Sequence, residues 1–252
     1  VGADGQEHRP ILQKFKAAGK SVGCVTTVPI THATPAGFCV VSKSRGSMND
    51  IARQYLDLRF DVLMGGGTEQ FLAEKRGDKK DLFREFRKAG YQVARTRDEM
   101  LALNPNGPVL GAFHEDGLPY SLDRAQDAAL QKTVPTLAEL TTTAIARMQS
   151  NPKGFVLQVE GGKVDWAAHA NDVGGLLYDQ LAFDEAVKVA VDFAEKDGNT
   201  LVVITTDHGN ANPGLFSGGD RKFDRIQQFR HTNEWILNGI TKDSTAAQVV
   251  ER

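Results

Sequence analysis

The stretch Phe155-Val-Leu-Gln-Val-Glu-Gly-Gly-Lys-Val-Asp-Trp-Ala-Ala-His169 decides the fold. Its first five residues form a short apolar run of the kind that makes a strand. Glu160 leaves that run directly, and Asp165 and His169 follow four apart, so on a helical turn they share one face. The same alternation extends to both sides. Upstream, Pro10–Gly19 reads as a helix stopped by glycine, Ser21–Thr27 as a buried strand, and Thr34–Ser44 as a helix with Thr34 as N-cap and Pro35 at the first helical position. Met48–Leu58 is amphipathic, and Phe60–Met64 is a strand running into Gly65-Gly-Gly67. Asp81–Ala89 reads as a helix ended at Gly90, Tyr91–Ala94 and Val109–Phe113 as short strands, and Leu137–Met148 as a helix. Downstream come a long helix, Leu176–Glu195, and Leu201–Thr205 (LVVIT), the strongest strand signal in the chain. Strands alternating with helices predict an α/β fold, a parallel-rich central sheet with helices on both faces, over a single domain spanning 1–252. In such sheets, ligands bind beyond the carboxyl ends of the strands.

Composition narrows the function classes. The chain has 252 residues, 40% hydrophobic and 25% charged, which is ordinary for a globular domain and excludes disorder and fibrous repeats. Net charge is −2, no footprint for nucleic acid. Mean hydropathy is −0.34 and no apolar run approaches the ~20 residues of a membrane span. Cys24 and Cys39 are the only cysteines, too few for a disulfide scaffold, and are expected as free thiols. Neither a Walker loop nor a G-x-S-x-G elbow occurs. Val1 reads as the middle of a loop and Thr245–Arg252 as an unterminated helix, so both ends are expected to be cuts in a longer domain.

Three strand ends carry chemistry. Asp165 and His169 on one helical face make a half-site for Zn²⁺, against a surface ion pair as the plain alternative. Asp207 and His208 leave LVVIT together ahead of Gly209, where a sharp turn lets both reach one ion; the alternative is an Asx-turn. Behind Ser21–Thr27 lie His32, Thr34 and Arg45; alone these read as an uninformative histidine, a helix cap, and a cation completing the dipole of the helix that Thr34 starts. Hard-oxygen donors such as Glu160 and the Thr34 hydroxyl suit Mg²⁺ better than Zn²⁺. Jointly the groups suggest a hydrolytic metal cluster of the kind that clamps a phosphoryl transfer.

The motifs V-T-T-V-x-x-T-H-A-T-P-A, D-V-L-M-G-G-G, V-E-G-G-K-V-D-W-A-A-H and T-T-D-H-G, in this order from Val1 to His208, resemble the alkaline phosphatase family. The resemblance implies two zinc ions and one magnesium. Asp165 and His169 match ligands of the first zinc, Asp207 and His208 ligands of the second, and Glu160 and Thr34 the magnesium ligands. Arg45 matches the arginine that grips phosphate, and His32 and Trp166 match two variable positions beside the metals and substrate. It further implies phosphate monoester hydrolysis through a phosphoserine, small phosphomonoesters and inorganic phosphate as ligands, a homodimer when complete, and a periplasmic or extracellular location.

The family's nucleophile lies in an Asp-Ser-Ala motif that does not occur here and is expected before Val1, so this chain alone is expected to be inactive. A third ligand to the first zinc is either His231 or a residue past Arg252. Two other readings stay open: a cofactor-independent phosphomutase of the same superfamily, and a non-catalytic metal-binding fragment.

Overall fold

A computed structural model describes residues 5–210 and 225–251. In chain order the elements are α1 (Ile11–Ala17), β1 (Ser21–Pro29), α2 (Ala33–Cys39), α3 (Met48–Leu58), β2 (Val62–Gly66), α4 (Leu82–Lys88), β3 (Gln92–Ala94), α5 (Arg97–Leu101), β4 (Val109–Ala112), α6 (Ser121–Gln126), α7 (Ala128–Thr133), α8 (Leu137–Met148), β5 (Phe155–Glu160), α9 (Gly162–His169), α10 (Val173–Asp197), α11 (Asn233–Asn238) and α12 (Ala246–Glu251).

Among the described residues, five strands form one sheet in the order β3-β4-β2-β1-β5, every pairing parallel. Alternate side chains along the strands feed two cores. Val22, Cys24 and Leu63 point to one, filled by Leu12 of α1, Ala36 of α2, Tyr55 of α3 and Phe86 of α4. Val25, Val62 and Met64 point to the other, filled by Leu140, Ala144 and Met148 of α8 and Ala186 of α10. Burial on both faces explains why β1 and β2 read as continuous apolar runs rather than alternating ones. Helix ends follow local chemistry. Thr136 and Glu139 close a reciprocal capping box on α8, and Asp172 accepts from Gly175 N to start α10, which ends at Gly198 with φ 68°.

Two expectations are corrected. Leu201–Thr205 is not a strand: Leu201 is 86% and Val203 74% exposed. Strand propensity is realised only against a neighbour, and β5 pairs with β1 alone among the described strands. The helix expected over Thr34–Ser44 runs instead over Ala33–Cys39. Val40 turns extended (φ −131°, ψ 166°), and Ser42 Oγ then donates to Ser44 O while accepting from Ser44 N. Such local side-chain bonds compete with the helix ladder. Thr34 is therefore inside the first turn and not its cap, and Arg45 lies beyond the helix rather than at its end.

Candidate active site at the carboxyl edge of the sheet

The last residues of β1 and β5 face each other, because the parallel register sets Thr26 opposite Glu160. Thr26, fully buried, donates its hydroxyl to Glu160 Oε2 at 2.6 Å and accepts from Val28 N at 3.1 Å. Thr34, on the first turn of α2, brings its hydroxyl beside the same carboxyl and favours its ionised form. Burial pushes that carboxyl up to about 7; the carboxylates of Asp207 and Asp165 push the same way, while the two threonine hydroxyls oppose.

Beyond Glu160 the chain turns straight into α9. The adjoining Thr27 hydroxyl accepts from Lys163 N at 2.9 Å. It partners one of the N–H groups that a helix start leaves free, which Gly161 before α9 has no side chain to do. A Cβ on Gly162 would sit 2.7 Å from Val28 Cγ1 and 3.1 Å from Glu160 Oε1, so only glycine lets α9 begin this close to β1. Asp165 and His169 share one face of α9 as expected, with His169 Nε2 3.4 Å from Asp165 Oδ1. Lys163 lies buried with Nζ 3.6 Å from the centre of the Tyr120 ring and 4.6 Å from that of Trp166, and 3.7 Å from Glu234 Oε2. Burial lowers its pKa.

Trp166 meets His32 edge-on, ring centres 5.8 Å apart. His32 Nε2 stands 3.3 Å from Arg45 Nη2. A guanidinium only donates, so His32 accepts there and is neutral, with its proton on Nδ1. Burial, and then the Arg45 charge, lower the His32 pKa and favour that neutral form. His32 Nδ1 and the Thr31 hydroxyl are buried without a hydrogen-bond partner among the described residues.

Asp207 and His208 are exposed and paired with each other: His208 N donates to Asp207 Oδ1 at 3.0 Å, and His208 Nε2 is 3.5 Å from Asp207 Oδ2. Asn210 ties this segment to α9, donating to Asp165 Oδ1 at 2.9 Å. The structure thus brings Thr34 and Glu160 together, pairs Asp165 with His169 and Asp207 with His208, and sets Trp166, His32 and Arg45 in contact one after the other. Among the described residues, no three His, Cys, Asp or Glu side chains come together closely enough to hold a metal ion. His231 is engaged elsewhere, with Nδ1 3.2 Å from Asp123 Oδ1 and its ring stacked 3.5 Å from that of Trp235. Cys24 and Cys39 are free and buried. Thr26, Thr27 and Asn210 were not among the residues expected at the site. The signal for the threonines was a pair of hydroxyls ending an otherwise apolar strand; for Asn210 it was the D-H-G-N run itself.

A family model described as alkaline phosphatase matches residues 1–237. Alkaline phosphatase 3 of Bacillus subtilis is 41% identical over 227 residues, covering 87% of this chain and 46% of that protein. Alkaline phosphatase of Escherichia coli K12 is 32% identical, over 82% of this chain and 52% of that protein. The crystal structure of Thermus thermophilus alkaline phosphatase superposes with a TM-score of 0.93 at 36% identity, over 100% of this chain and 54% of that one. A TAB5 alkaline phosphatase variant, described with Mg bound in its M3 site, superposes with a TM-score of 0.71 at 28% identity, over 83% of this chain and 58% of that one. The chain spans about half the length of the curated relatives it matches. Among the described residues, no helix is long and apolar enough to cross a membrane.

Proposed function

The chain belongs to the alkaline phosphatase family, and on that premise we propose that it supplies most of the metal- and phosphate-binding side chains of a metal-dependent phosphomonoesterase. The observation that carries the reading is Glu160, a carboxyl at the carboxyl end of β5, bonded by Thr26 with the Thr34 hydroxyl beside it, and raised first by burial and then by the repelling charges of Asp207 and Asp165. A divalent cation would relieve that repulsion. The donor chemistry fits: hard oxygens of Glu160 and Thr34 for Mg²⁺, and the carboxylate–imidazole pairs Asp165/His169 and Asp207/His208 for two Zn²⁺. When bound, such ions offset the charge developing on a transferring phosphoryl group and lower the pKa of water.

The chain's own residues do the rest. Arg45 offers a planar fork of donors that matches two phosphate oxygens at once. Neutral His32 accepts from one arm of that fork and so fixes its direction, and Trp166 backs the imidazole. No Asp-Ser-Ala motif occurs in these residues, so a phosphoserine step needs a serine from elsewhere in the protein, and the 252-residue chain assayed alone should not hydrolyse p-nitrophenyl phosphate. The family match favours hydrolysis over the phosphomutase reading.

The test uses the protein complete with its serine, assayed with p-nitrophenyl phosphate at alkaline pH. Arg45→Ala should weaken phosphate inhibition and slow turnover with metal content unchanged, by roughly 30- to 1000-fold, the worth of a bidentate charged contact. Asp207→Ala should lower metal content and activity together. Wild-type kinetics and wild-type phosphate inhibition in Arg45→Ala would overturn the reading.

A further inference from the structure

Two threonine hydroxyls reach the same carboxylate, and their surroundings differ. Thr26 Oγ1 is enclosed: it donates to Glu160 Oε2 at 2.6 Å and accepts from Val28 N at 3.1 Å, in a residue with no exposed surface. Thr34 is partly exposed on the first turn of α2, and its hydroxyl lies beside the Glu160 carboxyl, which it helps keep ionised. The second oxygen, Glu160 Oε1, borders Gly162, where a Cβ would come within 3.1 Å of it.

We propose that Thr26 is a positioning residue that acts through Glu160, locking Oε2 to the end of β1 so that the rest of the carboxylate and the Thr34 hydroxyl are presented together to a divalent cation. The inference rests on the reading of Glu160 and Thr34 as Mg²⁺ ligands. The chain of donors, Val28 N–H to Thr26 O–H to Glu160 Oε2, runs from backbone fixed in the sheet to the carboxylate. Each bond in it polarises the next and restrains the carboxylate from turning. The Thr26 hydroxyl, held by the carboxylate and by backbone N–H in a residue with no exposed surface, offers a cation no approach, whereas the Thr34 hydroxyl beside Glu160 is partly exposed and open to become a ligand. The two threonines therefore divide the work, one as a fixed strut and the other as an exchangeable donor.

The test is titration of the chelator-stripped protein with Mg²⁺ alone, read by calorimetry and by the Mg²⁺-dependent rise in Tm. Thr26→Val keeps the shape and removes the hydroxyl; it should weaken Mg²⁺ binding about 10- to 100-fold, the usual effect of losing a group that orients a ligand. Thr26→Ser should restore binding to within about threefold, because the hydroxyl returns. Should Thr26→Val not fold, Thr26→Cys, with only a weak thiol donor, carries the same expectation. Thr27→Val is the control for a merely structural role. It removes the partner of Lys163 N on the same turn, and should lower Tm in chelator while leaving the Mg²⁺ midpoint in place. If Thr26→Val binds Mg²⁺ like the wild type while Glu160→Gln does not, the positioning role is wrong and the ligand reading stands. If Thr27→Val weakens Mg²⁺ as much as Thr26→Val, the effect belongs to the turn and the proposal is overturned. If Glu160→Gln and the wild type bind Mg²⁺ alike, both readings fall.

Discussion

The runs Ser21-Val-Gly-Cys-Val25 and Leu201-Val-Val-Ile-Thr205 are both short, apolar and β-branched, yet they end in opposite states. The first lies inside the sheet: it pairs with β2 on one side and β5 on the other, and from Val22 onward it is buried. The second forms no ladder and faces solvent, with Leu201, Val203 and Ile204 all more than half exposed. Between them, β5 is intermediate in every sense, hydrogen-bonded on one edge and half-buried at all six residues. The gradient shows that a strand is a property of its neighbours. It also divides the site. Thr34 and Glu160 rest on the packed side, while Asp207 and His208 stand on the open one.

Leu63→Ala, in the middle of β2 and fully buried, should cost this chain about 2–5 kcal/mol in urea denaturation, and Leu201→Ala less than about 0.5 kcal/mol. Equal losses would break the contrast. A second measurement asks how α10, flanking the open side, is held. Its N-terminal half is anchored by Asp179, which accepts from Ser121 N at 3.1 Å and Ser121 Oγ at 3.2 Å. Burial pushes the Asp179 carboxyl up to about 6. A raised carboxyl holds its proton more tightly in the folded chain than in the unfolded one. This group therefore makes the fold less stable as pH rises from about 4 to about 6, with no further change above. Asp179→Asn should remove that slope, so that its stability relative to wild type improves by up to about 3 kcal/mol across the window. A parallel pair of pH–stability curves would show that Asp179 is not strained. Smallest of all should be Lys188→Met, which breaks an exposed i,i+4 pair with Asp192 on the same helix. About 0.3–0.5 kcal/mol is expected by thermal denaturation. A loss several times larger would mean that this end of α10 is more tightly built than its exposure indicates.

Much of the frame was legible in the sequence because it is written in local terms. Glycine at the end of a helix, proline at the start of one and β-branched runs between them mark most elements of the packed half within a residue or two, the exception being the helix expected over Thr34–Ser44, which stops at Cys39. The Asp165–His169 pair was legible for the same reason, four residues apart on one helix. What failed depended on surroundings. LVVIT carried the strongest propensity and found no partner. Thr34 looked like a cap because it precedes a proline, but the helix begins one residue earlier and frees its hydroxyl for Glu160. The bonds from Thr26 to Glu160 and from Thr27 to Lys163 cross 134 and 136 residues. They follow at once from the β1–β5 register, and from nothing shorter in range.

The last of those bonds reaches beyond the finished site to the way the chain folds. Helix α9 takes a capping hydroxyl not from its own flank but from β1, 136 residues earlier. Left to itself, a helix of eight residues is too short to persist in water. The element that carries Asp165, Trp166 and His169 is therefore completed only when β1 and β5, the two strands of the sheet farthest apart in sequence, have closed the long loop between them. That closure carries the largest entropic cost among the strand pairings and is a slow kind of step in a folding reaction. Site geometry is thus tied to the late, long-range part of folding: a chain with helices α1 to α8 already in place but β5 not yet docked would have much of its secondary structure and none of the Glu160–α9 arrangement.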